Sequence, residues 1–203
     1  MAAIVLASVS SARRLLLDNA GIGYEAVAAP IDERALEAPL LQRGASPAAI
    51  ALALAEAKAS AVLALRPDAL VIGADQVLDL DGERFVKPGE RDAARNQLRR
   101  LAGRTHTLQT AVVIARDDGV VWRHLASPRL SMRPMDEATI GAYLDRAGDG
   151  IYQSVGAYHL EGLGIRLFSA IEGDYFSILG LPLLPLLEAL RRAGALEADD
   201  SRS

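Results

Sequence analysis

Residues 70–80, LVIGADQVLDL, read as one long strand, because a run of β-branched and aliphatic residues is interrupted only by Gly73, Asp75, Gln76 and Asp79. Asp81-Gly82 comes next and is a strong hairpin signal, so the chain should double back through ERFVKP (83–88) toward a helix near Arg91 to Leu101, closed by Gly103. On the other side, Ser46-Pro47 supplies an N-cap and a first-turn proline for an alanine-rich helix that runs to about Leu65. Strand-type and helix-type segments continue to alternate farther out. Ile4 to Leu6 reads as a buried strand, with Ser10 or Ser11 able to cap a helix from about Ala12 to Asn19, and Tyr24 to Ala28 reads as a second strand. Pro30 to Ala45 reads as a long, loop-rich stretch. Thr107 to Ala115 and Val120 to Arg133 flank an Asp-Asp-Gly turn at 117–119, Asp136 opens a helix to about Arg146, and Pro182 starts the last helix. The alternation predicts an α/β fold with helices layered on a mixed sheet, since the hairpins require antiparallel pairs. Residues 1–197 should form a single domain and 198–203 a polar, frayed tail.

The chain has 203 residues, enough to bury a core that can support a cleft. Its formal charge of −4 gives no global basic field for nucleic acid, so an anionic ligand must be held by a local cluster. No cysteine is present, which removes disulfides, thiolate zinc sites and cysteine nucleophiles together. The histidines, His106, His124 and His159, form no metal-binding pair spaced along a helix. The N-terminus lacks the order of a secretory signal, and Pro182 and Pro185 break the one apolar run near the C-terminus, so the expected setting is cytoplasmic, without membrane association.

Neither GxxxxGK[ST] nor GxGxxG stands after the first strand, which argues against a P-loop ATPase and a Rossmann dehydrogenase. The first strand instead runs into Ser8-Val9-Ser10-Ser11-Ala12-Arg13-Arg14, a strand-to-helix turn where backbone N–H groups, hydroxyls and an arginine can converge on one anion. The same residues also suit a plain N-capping serine cluster with solvated arginines. Asp75 breaks an apolar strand with a carboxylate that is costly to bury unpaired, which suits a metal ligand or general base as well as a hydrogen-bonded structural Asp. Taken alone, Lys58 and Lys87 read as surface lysines. Gly156, Gly162, Gly164 and Gly173 around Glu161, Glu172 and Asp174 suit either a backbone packed close to a ligand or tight turns.

In this order and spacing, Leu6-Ala-Ser-Val-Ser-Ser-Ala-Arg-Arg, Ile31-Asp-Glu, Ala55-Glu-Ala-Lys-Ala, Gly73-Ala-Asp-Gln, Lys87-Pro, Gly103-Arg-Thr-His-Thr, Glu161-Gly-Leu-Gly and Gly180-Leu-Pro-Leu resemble the Maf family over nearly the whole chain. The resemblance implies a mixed β-sheet flanked by helices, with two lobes around a deep cleft, a Maf or inosine triphosphatase-like fold. It further implies a homodimer that hydrolyses nucleoside triphosphates to monophosphate and pyrophosphate with a divalent cation, Mg²⁺ or Mn²⁺. Carried over by motif, Ser8, Ser10, Arg13, Arg14 and Lys58 would bind the phosphates. Asp75, Glu33 and Lys87 would be catalytic, with Asp75 and Glu33 also holding the metal. Ala12, Gln76 and Glu161 would stand at the positions tied to substrate choice.

The gap between Ser10 and Arg13, with Asp75-Gln76 and Glu161, is similar to the branch acting on 7-methyl-GTP and differs from the branch acting on dTTP and UTP. Ala12 stands where the first branch usually has tryptophan, and Ser11 where it has proline. The missing indole removes a stacking surface for a cationic purine worth about 0.5–2 kcal/mol. The reading therefore stops at nucleoside triphosphates as substrate, with nucleotide-pool sanitation or division arrest as the accompanying roles. Two other classes share the features: a nucleotide-responsive division regulator without turnover, and a sugar-phosphate enzyme on a generic α/β fold.

Overall fold

The computed structural model describes residues 2–117 and 119–196; the expected tail at 198–203 and Asp118 of the 117–119 turn lie outside them. Its centre is an eight-stranded mixed sheet: β1 (Ile4–Leu6), β2 (Glu25–Ala26), β3 (Leu70–Leu80), β4 (Glu83–Phe85), β5 (Thr105–Arg116), β6 (Gly119–Ala126), β7 (Arg129–Met132) and β8 (Phe168–Glu172). The main path runs β2-β1-β3-β5-β7-β8, with β1 parallel to both β2 and β3 and the remaining pairs antiparallel. The two long strands are forked. On one edge β3 pairs with β1 through Leu70–Ile72 and with β4 through Leu78–Leu80, so 73–77 have no strand neighbour there. The hairpin joining β3 to β4 turns on Asp81 and Gly82, both at positive φ, as the Asp-Gly signal requires.

The helices are α1 (Ser11–Asn19), α2 (Glu33–Gln42), α3 (Pro47–Leu63), α4 (Arg91–Leu101), α5 (Glu137–Ala147), α6 (Tyr175–Ile178) and α7 (Leu183–Arg192). Ser10, Asp32, Ser46, Asp136 and Asp174 cap α1, α2, α3, α5 and α6 through their side chains, each satisfying an otherwise orphaned N–H. Alternation along β3 sends Val71 and Val77 into a core under α3 and sends Leu70, Ile72 and Ala74 into a core shared with α1 and α7. A third core, built on Leu78, Leu80 and Phe85, is closed by α4 and α5. Among the described residues no helix is long and apolar enough to cross a membrane.

Two expectations are corrected. The stretch from Pro30 to Ala45 is not loop but largely α2, with Pro39 inside it. Asp32 accepts from the Ala35 N–H at 3.1 Å, and Glu33 lies in the acidic first turn, so capping and the helix dipole start a helix despite the proline. The segment from Val120 to Arg133 is not one strand but two, β6 and β7, which occupy successive portions of the same β5 edge, with Pro128 just ahead of β7.

Candidate active site

A cleft of about 1330 Å³ opens where β1 and β4 leave β3 unpaired. Adjacent residues of a strand face opposite sides, so Asp75 points to the α3 side and Gln76 to the α1/α7 side; at the unpaired edge both still line the cleft.

On the α3 side, close packing brings charges together. Ala51, Ala55 and Ala59 of α3 are fully buried, and a Cβ built on Gly73 would lie 2.2 Å from the Ala55 carbonyl oxygen, so glycine is required for this approach. One turn along α3, Lys58 is buried, and its Nζ donates to Asp75 Oδ1 at 2.6 Å and lies 2.9 Å from Glu33 Oε1. Lys58, a surface lysine by its sequence context, is thus the buried hub between the two acids. Glu33 enters from the first turn of α2 with its side chain half exposed, whereas Asp75 is 6% exposed.

Across the cleft, Ser10 caps α1, and its own N–H donates to Ser8 Oγ at 3.2 Å, so the turn after β1 is held by its serines. Arg13 is stapled from that helix into the fork. Its Nε donates to the Gly180 carbonyl at 2.8 Å, and its Nη1 donates to the Ala74 carbonyl at 3.0 Å and to Ser8 Oγ at 3.2 Å. Burial lowers the guanidinium pKa below its ordinary value, while the charges of Asp75 and Glu33 pull it back up. Gly180, at φ +99, brings its backbone against this side chain, which gives the Gly180-Leu-Pro-Leu motif a role in docking Arg13.

Gln76 is half-buried, and its Nε2 meets Thr110 Oγ1 at 2.8 Å and the Ser177 and Ile178 carbonyls at 3.0 and 3.1 Å. Ala12, Lys87 and Glu161 also line the cleft, the last two exposed. Arg14 is exposed and does not line the cleft; its backbone carbonyl accepts from the Tyr24 hydroxyl at 3.3 Å. The glycines downstream pack against protein: Gly164 against the His159 carbonyl, Gly156 against Tyr158 and Leu78, and Gly173 against Pro128. Glu172-Gly173-Asp174 is more than a turn, because Asp174 accepts from the Ser177 N–H at 2.8 Å and from its hydroxyl at 2.6 Å.

Other residues line the cleft to which no sequence motif assigns a role. Arg34, Glu37 and Leu41 share the cleft face of α2, and Glu37 is buried in an ion pair with Arg84 of β4, tying the two elements across the cleft. The capping signal at Asp32 could have exposed α2, but nothing local marks Arg84. Among the described residues no three acidic or histidine side chains gather to hold a metal by themselves. The point that Glu33 Oε1 and Asp75 Oδ1 share is held by the Lys58 ammonium, so the hard oxygen donors that a divalent cation would use are their other carboxylate oxygens.

Fold and site together define a mixed α/β protein whose cleft is built at the fork of its central strand. The chain belongs to the Maf family: the family model described as Maf-like protein matches residues 3–193. It is similar to a protein of Rhizobium meliloti named 7-methyl-GTP pyrophosphatase, 53% identical over 195 residues, which cover 96% of this chain and 98% of the relative. A protein of Gluconobacter oxydans named nucleoside triphosphate pyrophosphatase is 52% identical over 198 residues, 96% of this chain and 97% of its own.

Proposed function

We propose that this chain hydrolyses nucleoside triphosphates to monophosphate and pyrophosphate. The observation that carries the reading is the meeting of Glu33, Lys58 and Asp75 at one point of the cleft, facing the Ser8–Arg13 turn. The names of relatives aligned over nearly their whole length support it.

The turn after β1 and the N-terminus of α1 receive phosphate oxygens through N–H groups, hydroxyls and Arg13. Lys58 and Lys87 add positive charge, and Arg84 stands nearby in its pair with Glu37. A water attacks the α-phosphorus, the bond to the bridging oxygen breaks, pyrophosphate leaves with the electron pair, and Asp75 accepts the water's proton. Asp75 Oδ1 is engaged by Lys58, so Oδ2 is the oxygen open to the water or the cation. Glu33 and Asp75 would hold a divalent cation, which when bound offsets phosphate charge in the transition state. Gln76 and Glu161, which line the cleft, would read the base, with Ala12 offering only a methyl to it. A cytoplasmic setting and a homodimer belong to the same reading.

The test is a screen of common and modified triphosphates scored for product. Pyrophosphate in the presence of Mg²⁺ or Mn²⁺ is expected, with 7-methyl-GTP among the first substrates because several relatives carry that name. Orthophosphate as the product would overturn the bond assignment, and full rate in excess EDTA would remove the metal.

A further inference from the structure

Gln76 is oriented by acceptors that leave it no choice. The Ser177 and Ile178 carbonyls, at 3.0 and 3.1 Å, can only accept, so the nitrogen end of the amide must face them. Thr110, directly opposite Gln76 in the β3–β5 register and fully buried, donates its hydroxyl proton to the Ser177 carbonyl at 2.9 Å. Its oxygen is then free to accept from Gln76 Nε2 at 2.8 Å. The set is tied down from behind, since Ser177 is 1% exposed and bonded to Asp174, the N-cap of α6. Flipping the amide would press Oε1 against two carbonyl oxygens and take the amide donor from the Ile178 carbonyl, while the Ser177 carbonyl would keep the Thr110 hydroxyl and the Gly180 N–H. Among the described residues no protein donor reaches Oε1, and Gln76 lines the cleft.

We infer that the Ser177 and Ile178 carbonyls turn Gln76 into a hydrogen-bond acceptor toward the cleft and that Thr110 is the positioning residue that holds the amide against them, so that the ligand edge it meets must donate. Resting on the proposed triphosphate hydrolysis, this names a substrate class: nucleotides whose base carries a ring N–H on its pairing edge, as guanine, hypoxanthine, uracil and thymine do. Adenine and cytosine present a ring nitrogen lone pair at the equivalent place and would oppose Oε1. Purine or pyrimidine size does not enter this selection.

The experiment compares kcat/KM for GTP, UTP, ATP and CTP in the wild type, Thr110→Val and Thr110→Ser. The wild type should favour GTP and UTP over ATP and CTP. Thr110→Val keeps the shape but removes the hydroxyl, and should narrow that preference by about threefold to tenfold, chiefly through KM. Thr110→Ser should restore it. In parallel, the Gln76 side-chain amide protons, assigned by their loss in Gln76→Met, should be protected from hydrogen exchange in the wild type and exposed in Thr110→Val. A uniform loss across the four triphosphates, or a wild type indifferent to them, overturns the inference while leaving the hydrolase reading intact. If Thr110→Val does not fold, loss of the preference in Gln76→Met takes its place as the deciding result. If the wild type releases no pyrophosphate, the hydrolase reading fails, and the ranking of calorimetric Kd values for the same four nucleotides decides the inference alone.

Discussion

Asp75 and Arg13 show how far one side chain can serve both structure and chemistry. Asp75→Asn is nearly isosteric, and its amide oxygen can still accept from Lys58, so the fold should hold while proton acceptance and cation binding fail. The expected fall in kcat is about a hundredfold or more, checked by pyrophosphate release from a variant with unchanged circular dichroism. Near-normal turnover would reassign Asp75 to structure alone. Arg13 is different, because three of its five N–H donors are engaged by the Gly180 and Ala74 carbonyls and Ser8, which leaves Nη2 for a phosphate. Arg13→Lys keeps the charge but cannot span these acceptors, so stability should drop by about 2 kcal/mol as buried carbonyls lose donors. Activity toward all triphosphates should fall together. An unchanged urea midpoint would show that the carbonyls find other partners, leaving Arg13 a phosphate contact only.

The pairing of α3 with β3 is the element on which the acidic site depends. Alanines on the helix and Gly73 on the strand let two backbones approach, and that approach puts Lys58 over Asp75. Gly73→Ala would set a methyl 2.2 Å from the Ala55 carbonyl oxygen and 2.8 Å from the Ala59 Cβ, atoms of backbone and helix that cannot rotate away. The helix must shift or the variant unfold, at a cost of about 3 kcal/mol or more by thermal or urea denaturation. A variant that keeps wild-type stability would mean that α3 sits farther from the sheet. Glycine is equally telling at Gly164, whose position against the His159 carbonyl folds the Glu161 loop onto itself. There the sequence pattern invited a ligand, and the tertiary structure supplies a protein carbonyl in its place.

For the molecule as a whole, acid sensitivity should trace to His106, 1% exposed in the core and bonded through Nε2 to the Tyr158 hydroxyl, with Nδ1 unpartnered among the described residues. Burial pushes its pKa down to about 4, against about 6.5 in an unfolded chain. Between these values the unfolded chain binds a proton that the folded one refuses, so stability is complete above about pH 6.5 and declines as pH falls toward 4, by up to about 3 kcal/mol. Urea titrations from pH 7.5 downward should show this slope, and His106→Gln should flatten it by one proton's worth; equal slopes would clear His106. Nothing around His106 in sequence marks it as buried, since alternation along β5 shows only that it shares a face with Leu108 and Thr110. The sequence by itself determined the alternating elements, the caps at Ser10, Ser46 and Asp136, the Asp81-Gly82 hairpin and the family, because these are set by neighbours along the chain and by motif order. It did not determine that Lys58 is buried between two acids, that Arg14 does not line the cleft, that Arg84 pairs with Glu37, or which end of the Gln76 amide meets the cleft. Those were decided only when β1 and β4 divided one edge of β3 and α3 packed at glycine distance, since burial and partner choice arise between segments remote in sequence, whose approach leaves no local signature.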